Sequence, residues 1–151
     1  MDKLDRKLLD ILQQDYPLHP KPYAIIADKI GITEPEVIQR ISRLKINGII
    51  RRIGGVIDGK KLGFYSTLCA STVPENRINE VAALINQYDE VTHNYVRDHQ
   101  LNVWFTLTAK SYEKVMEILE LIEEQANIKV YSMPALKLYK IRVALEMGDS
   151  L

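Results

Sequence analysis

The hydrophobic spacing of the chain changes character around residue 60, and this change limits the available folds more than any other feature. Before that point, apolar residues recur three and four positions apart, as on one face of an α-helix; Leu4, Leu8 and Ile11 are an example. After it, several short runs alternate apolar and polar residues, as half-buried strands do, and helical runs separate them. The sequence therefore predicts a helical domain over residues 1–61 and a mixed α and β domain over residues 62–151.

The first domain is predicted to contain three short helices. The second covers residues 23–30 and ends at Gly31, and Thr33 with Glu36 then forms a capping-box pattern that opens the third. Residues 49–57, with a turn of two glycines, follow the third helix as an expected hairpin. Two helices joined by a tight turn and followed by such a hairpin are typical of a winged helix-turn-helix.

The second domain is predicted to have the element order βαββαβ. Its segments are a strand over residues 64–73, a helix over 75–88, a hairpin over 91–108, a helix capped by Ser111, and extended segments from Ile128 and over 136–145. This order is the ferredoxin-like arrangement, in which both helices cover one face of an antiparallel sheet. The opposite face is left for a partner or a ligand. The expected fold class is therefore α+β.

The charge balance argues against a dedicated DNA-binding protein. The chain has 20 basic and 20 acidic residues, and residues 1–61 hold 12 and 8 of them, far from the strongly basic surface of a DNA binder. The start of the third helix, where such a module reads DNA, carries Glu34 and Glu36. Arg40 and Arg43 lie further along and can still reach a phosphate backbone. DNA binding is thus the less favoured interpretation, and a helical module kept for packing is the alternative.

Cys69 is the only cysteine, which excludes an intramolecular disulfide and leaves no cysteine-based metal site. It lies in an apolar run and is expected to be buried. The first residues are charged, and no segment reaches the roughly 20 apolar residues of a membrane span. The expectation is a cytoplasmic protein without a membrane partner.

The hairpin over residues 91–108 carries side chains that packing alone does not require. Because successive strand residues face opposite sides, His93, Tyr95 and Arg97 share one face. On the returning strand, one face carries the polar and aromatic residues Asn102, Trp104 and Thr106. The other face carries the apolar residues Leu101, Val103, Phe105 and Leu107. The apolar set is the natural core face, so the other face is polar and aromatic, which suits a flat, anionic ligand.

The same hairpin residues have other interpretations. Tyr95 and Trp104 can fill an interface between subunits, where aromatic residues are enriched. Imidazole has a role as acid, base or metal ligand in proteins, so either His93 or His99 can deliver a proton or ligate a metal. No third ligand of fixed spacing accompanies them, which speaks against a structural zinc site.

Arginines outside the hairpin add candidates for binding anions. Arg51 and Arg52 are adjacent, so on a strand they face opposite sides and at most one serves a given ligand. Guanidinium groups capture carboxylates or phosphates through two hydrogen bonds. Lys140 and Arg142 share a face of the last predicted strand and can hold carboxylates. Solvated side chains, or a wing that faces DNA, are the alternatives.

Two sets of motifs resemble known families. The helical module is similar to the Lrp/AsnC transcription regulators in Gly31-Ile32-Thr33 through Val37, Arg40, Leu44 and Gly48-Ile49-Ile50. Nearly the whole chain resembles the siroheme decarboxylases, in Arg51-Arg52-Ile53-Gly54, Lys61-Leu62-Gly63-Phe64, Ser66-Thr67-Leu68-Cys69-Ala70, Val73-Pro74-Glu75, His93-Asn94-Tyr95-Val96-Arg97 and Asn102-Val103-Trp104-Phe105-Thr106-Leu107. These enzymes share the regulator fold.

The second resemblance implies a carboxy-lyase of haem biosynthesis that removes carbon dioxide from acetate side chains of siroheme to give didecarboxysiroheme. It implies paired subunits, either related chains or two copies, and no required cofactor beyond the tetrapyrrole bound as substrate or product. His93 and His99 are the expected proton donors, and one of them can instead be an axial ligand of the tetrapyrrole iron. The side chains expected to bind substrate are Arg51, Arg52, Tyr95, Arg97, Asn102, Trp104 and Arg142.

Two other functions fit parts of the sequence. A regulator that senses a small effector fits the helical module, but Glu34, Glu36 and the unusual hairpin speak against it. The third interpretation is a non-catalytic, haem-binding partner subunit. Leu101, where the siroheme decarboxylases favour an aromatic residue, keeps that third interpretation open.

Overall fold

The structure is a computed structural model, which describes residues 1–141 and 144–148. The chain forms two compact units. The first comprises Met1–Val56 and the described residues from Lys140 onward, and the second comprises Ile57–Tyr139. The end of the chain therefore returns to the first unit, whereas the sequence predicts a single boundary after residue 61.

The first unit is a helix-turn-helix module of three helices: α1 (Lys3–Gln14), α2 (Pro22–Ile30) and α3 (Glu34–Ile46). Gly31 ends α2 at a φ of 75°, a left-handed conformation that glycine adopts without strain. Thr33 caps α3 by accepting a hydrogen bond from the Glu36 N–H. The reciprocal half of the expected capping box is missing, because the Glu36 carboxylate accepts hydrogen bonds from Arg40 instead.

The predicted wing does not form within this chain. No strand is present in residues 49–58, all of which the structure describes. Instead, the N–H groups of Ile49 and Ile50 both donate to the Leu44 carbonyl and close the end of α3. Val56 and Ile57 are 76% and 72% exposed, because their segment is not paired with any strand.

The second unit has the predicted βαββαβ order. Its elements are β1 (Tyr65–Ser71), α4 (Ile78–Ile85), β2 (Val91–Val96), β3 (Val103–Ala109), α5 (Tyr112–Ala126) and β4 (Val130–Met133). The strands form one antiparallel sheet in the order β2-β3-β1-β4. The ferredoxin-like fold is therefore confirmed.

Both helices of the second unit pack on the same face of the sheet. Ser111 caps α5 by accepting a hydrogen bond from the Lys114 N–H, as its position in the sequence predicts. The buried residues between helices and sheet include Val81, Ile85, Val103, Phe105, Leu107, Val115, Ile118 and Ile122. Each fully buried aliphatic or aromatic side chain contributes about 1.5–3 kcal/mol. This layer fixes which sheet face is covered, and so which is open.

The strand predicted over residues 136–145 is absent from the part of that segment that the structure describes. Its apolar side chains alternate as in a strand, but Leu136 is 99% exposed and Tyr139 is 85% exposed. An alternating pattern makes a strand only where a neighbouring strand accepts its hydrogen bonds, and β4 already ends at Met133. Arg142 lies outside the described residues.

Candidate functional site

The hairpin formed by β2 and β3 has the two faces that the sequence predicts. Tyr95 lies opposite Trp104, and His93 lies opposite Thr106. On β3, Phe105 and its two same-face neighbours are fully buried beneath the helices. His93, Tyr95, Trp104 and Thr106 therefore project from the sheet face that the helices leave uncovered, called the open face below.

The open face carries a continuous row of aromatic and cationic side chains. The His93 ring stacks on Tyr95, with centroids 5.9 Å apart and planes 25° from parallel. The Arg97 guanidinium lies 5.4 Å from the centre of the Trp104 ring and 5.9 Å from that of Tyr95. Such cation–π contacts stabilise by about 0.5–1 kcal/mol each at exposed sites. The row offers flat apolar surface and a fixed positive charge side by side.

The indole of Trp104 is held in place by a hydrogen bond to the backbone of the hairpin. Its Nε1–H donates to the Leu101 carbonyl, so the indole hydrogen bond is satisfied within the hairpin. Tyr95 remains 45% exposed. Tyr95 therefore keeps exposed surface for a ligand, while the position of Trp104 is set by the protein.

The side chain of Asn102 is hydrogen-bonded to the segment that follows β1. Its side-chain Nδ2 donates to the Val73 carbonyl at 2.8 Å, and its Oδ1 accepts from the Val73 N–H at 2.9 Å. Both polar groups of the amide are thus committed to the segment after β1. Thr72 reinforces this attachment by donating to the Gln100 carbonyl at 2.9 Å. Asn102 therefore fastens the hairpin loop to this segment, and its contact with a substrate stays a prediction.

His99 lies in the hairpin loop and outside the aromatic row. It is exposed, and its Nδ1 accepts a hydrogen bond of 3.0 Å from the Leu101 N–H. His93 is also exposed, and its Nδ1 lies 3.1 Å from Oγ1 of Thr92. Both histidines that the sequence singles out are therefore accessible from solvent, each with one ring nitrogen already occupied.

Apolar side chains complete the open face, and sequence reasoning missed them. Leu68 on β1 and Met133 on β4 are paired neighbours, each 38% exposed, and Tyr131 is 52% exposed. The alternation of side chains along residues 64–73 could have indicated them, because Leu68 and the buried Cys69 are adjacent on β1 and face opposite sides of the sheet. Soluble proteins rarely leave such a contiguous patch to water unless a partner or ligand covers it.

Arg51 and Arg52, which the sequence also predicts to bind anions, do not lie on the hairpin. Arg51 and Arg52 are exposed and belong to the first unit, in a segment without regular secondary structure. The structure therefore assigns the row to His93, Tyr95, Arg97 and Trp104, with His99 on the adjoining loop.

The arginines of α3 are committed to carboxylates of their own unit. Arg40 bonds to Asp2 at 2.7 Å, to Asp5 at 2.8 Å and to Glu36 at 2.9 Å. Arg43 bonds to the second oxygen of Asp5 at 2.8 Å. Burial works to raise the pKa of Asp5, but hydrogen bonds from the Asp2 N–H and Arg40 outweigh it and hold that pKa below its ordinary value.

This network removes the arginines that a DNA backbone would need. Three acidic side chains surround the two arginines, so these five side chains together carry no surplus positive charge. Phosphate binding depends on such a surplus. Arg40 and Arg43 are therefore poorly placed to bind a DNA backbone.

Two absences hold for the residues that the structure describes. Within residues 1–141 and 144–148, no three His, Cys, Asp or Glu side chains cluster closely enough to hold a metal ion. Over the same described part of the chain, no helix has both the length and the hydropathy needed to span a bilayer.

The two units together define a protein of the Lrp/AsnC architecture. Residues 61–140 match the family model described as an AsnC-like ligand binding domain. An AsnC family transcriptional regulator from Agrobacterium tumefaciens has a similar fold, with a TM-score of 0.76 and 23% identity over 96% of each chain.

Within that architecture, closer relatives define the family. Residues 5–51 match the model of the siroheme decarboxylase NirDL-like HTH domain. The siroheme decarboxylase alpha subunit of Nitratidesulfovibrio vulgaris is 48% identical over 97% of this chain and 84% of its own length. The crystal structure of the siroheme decarboxylase NirDL in co-complex with an iron-uroporphyrin III analogue matches with a TM-score of 0.67 and 32% identity. That match covers 94% of this chain and 47% of the NirDL chain, so this chain spans about half of it. The chain belongs to the siroheme decarboxylase family.

Proposed function

We propose that this chain is a subunit of a siroheme decarboxylase, which removes carbon dioxide from acetate side chains of siroheme to give didecarboxysiroheme. The observation that carries the proposal is the row of His93, Tyr95, Arg97 and Trp104 on the open face. A planar, polycarboxylate ring needs flat apolar contact and fixed cations, and the row supplies both. The 48% identity to a siroheme decarboxylase alpha subunit supports the same substrate.

The reaction needs a proton more than it needs a redox group. When the bond between the methylene carbon and the carboxylate breaks, carbon dioxide leaves and the electron pair stays on the carbon, delocalised into the macrocycle. A proton then adds to that carbon and forms the methyl group. A positioned acid typically accelerates such a step about 10²- to 10⁴-fold. His93 and His99 are the proposed sources, and axial ligation of the substrate iron is the alternative use of one of them.

Arg97 is proposed to hold a carboxylate that is not removed. Its guanidinium is exposed and already oriented by Tyr95 and Trp104, so less conformational freedom is lost when a carboxylate binds. Arg51 and Arg52, together with Arg142, remain candidates for further carboxylates. The proposal assigns no required cofactor.

A second subunit is proposed to cover the open face. Leu68, Tyr131 and Met133 are too apolar and too exposed to be explained by solvent alone. The relative from N. vulgaris is named an alpha subunit, which supports a partner that is a related chain. A second copy of this chain is the other possibility, and the site of action is proposed to be the cytoplasm.

The test is anaerobic incubation of siroheme with the purified chain, alone and together with a related subunit. Binding is followed by the tetrapyrrole absorption spectrum and decarboxylation by the mass of the product. We expect loss of carbon dioxide from two acetate groups. Arg97→Ala should raise KM by about 10- to 100-fold, since a hydrogen bond to a charged group contributes about 1.5–3 kcal/mol.

The matched control is Lys110→Ala, which removes an exposed cation just beyond β3. Equal KM values for the two variants would contradict the proposed role of Arg97 and leave the proposed function of the chain unaffected. A spectral change without loss of mass, with the related subunit present, would instead favour a non-catalytic binding subunit. Tight, salt-sensitive binding to duplex DNA without any spectral change would favour a regulator and overturn the proposed function.

A further inference from the structure

A β-bulge in β2 brings two neighbouring side chains together. Adjacent residues of a regular strand face opposite sides, so their side chains do not meet. The register of β2 against β3 shifts between Val91 and His93, which leaves Thr92 as the extra residue. As a result, Oγ1 of Thr92 lies 3.1 Å from Nδ1 of His93. Bulges of this kind are frequent beside active sites, where they redirect a side chain.

The Thr92 hydroxyl has a second contact, which offers its hydrogen another acceptor. Thr92 donates its one hydroxyl hydrogen to the Thr106 carbonyl at 3.4 Å, because a carbonyl can only accept. When the hydroxyl donates to that carbonyl, its oxygen is left to accept from His93, and Nδ1 of His93 then carries a hydrogen. In the neutral ring, Nε2 of His93 therefore holds the lone pair.

His99 has the opposite arrangement. The Leu101 N–H can only donate, and it points at Nδ1 of His99 at 3.0 Å. Nδ1 of the neutral ring is therefore without a hydrogen, and Nε2 carries it. To become doubly protonated, His99 would have to place a hydrogen on Nδ1 against that backbone N–H. His93 can take a proton on Nε2 and keep its contact with Thr92.

We propose that Thr92 is a positioning residue that fixes the tautomer of His93, and that this separates the roles of the two histidines. His93 takes up a proton on Nε2 and delivers it to the methylene carbon from which carbon dioxide has left. It becomes neutral and is protonated again from solvent, to which it is exposed. His99 offers its Nε2–H as a fixed hydrogen-bond donor to a substrate carboxylate. The chemical roles of the two histidines rest on the proposed function, whereas the assignment of their tautomers rests only on the hydrogen bonds of the two rings.

The direct test measures the tautomers without any substrate. Two-bond ¹H–¹⁵N spectra of the full chain, labelled at histidine, distinguish a ring nitrogen that carries hydrogen from one that does not. We expect the ring nitrogen without a hydrogen to be Nε2 in neutral His93 and Nδ1 in neutral His99. The same tautomer in both residues, or the reverse assignment, would overturn the proposal even if the chain decarboxylates siroheme.

Variants of Thr92 connect the tautomer to the reaction. Thr92→Val removes the acceptor, suits a strand, and should give a mixture of His93 tautomers. Because imidazolium loses a charge-assisted hydrogen bond, the alkaline limb of the kcat–pH profile should move to lower pH. Near neutral pH, kcat should fall about fivefold with KM unchanged. Thr92→Ser keeps the hydroxyl and should restore both properties.

Thr108→Val is the matched control, since it removes a β3 hydroxyl that donates to Ser66 at 2.9 Å, away from both histidines. It should leave the His93 tautomer and the kcat–pH profile as they are. If Thr92→Val, Thr92→Ser and Thr108→Val behave alike, Thr92 has no positioning role. If the chain shows the two tautomers but no turnover in any complex, the proposed function fails and the assignment of tautomers stands.

Discussion

Replacing Asp5 by asparagine tests whether the arginines of α3 are held by their own unit. Asp5 is 1% exposed and accepts hydrogen bonds from Arg40, from Arg43 through both carboxylate oxygens, and from the Asp2 N–H. Asparagine has the same shape, but it loses the charge and turns an NH₂ group toward donors. The substitution therefore breaks a buried ion pair without opening a cavity.

The expected cost is about 3 kcal/mol. Breaking a buried ion pair costs roughly 3–5 kcal/mol, and the lower end applies because Arg40 keeps Asp2 and Glu36 as partners. For a chain of this length, 1 kcal/mol lowers Tm by about 2–4 °C, so the melting temperature should fall by about 6–12 °C. Thermal unfolding followed by circular dichroism, together with urea titration, measures both quantities.

Asp15→Asn is the matched control for this prediction. Asp15 also pairs with a basic residue, Lys29, but both side chains are largely exposed, and such pairs contribute less than about 1 kcal/mol. A Tm decrease for Asp5→Asn no larger than that for Asp15→Asn would refute the reasoning, because Arg40 and Arg43 would then be free enough to serve another ligand.

The pH dependence of Asp5→Asn gives a second check. The folded-state pKa of Asp5 lies below the ordinary value of 3.8, so its contribution is complete above that value and is lost as pH falls through the folded-state pKa. The stability difference between the native chain and Asp5→Asn should therefore be constant from about pH 5 to pH 8 and narrow below about pH 4. A difference that widens in acid would contradict the sign of this linkage.

Two further predictions concern the second unit. Asn102→Ala removes the side chain that bonds to the Val73 N–H and carbonyl. Amide hydrogen exchange at Val73 should therefore accelerate by about 5- to 100-fold, which corresponds to roughly 1–3 kcal/mol. Unchanged protection of this amide would contradict the role of Asn102 in fastening the loop. Cys69 is fully buried, and desolvation raises its pKa to about 12. The thiol should therefore resist thiol reagents at pH 8 until the chain unfolds. Rapid labelling of Cys69 in the native chain would contradict this expectation.

The fold could be predicted because its signals are local. Gly31, Thr33 and Ser111 mark helix ends within a few residues, and the two-residue alternation in β3 separates buried from open positions. The resemblance to the siroheme decarboxylases, carried largely by the hairpin motif, is likewise confirmed by the family match over residues 5–51 and by the 48% identical relative.

The features that could not be predicted depend on residues far apart in the sequence or on a break in periodicity. Asp5 meets Arg40 and Arg43 across 35 and 38 positions, and no local pattern indicates such a contact. Asn102 reaches Val73 across 29 positions, which is why its chemistry alone suggested a substrate contact. The Thr92 bulge is invisible to a strict two-residue period, since period counting assumes that no residue is inserted.

The return of the chain end to the first unit changes how truncations of this gene would act. Gln13 on α1 both donates to and accepts from the backbone of Leu145, and Asp10 accepts a hydrogen bond from the Met147 N–H. A premature stop codon after Tyr139 would leave the ferredoxin-like unit whole and strip α1 of these contacts. The truncation would remove residues after 139, and the unit that it weakens would be the one that contains α1.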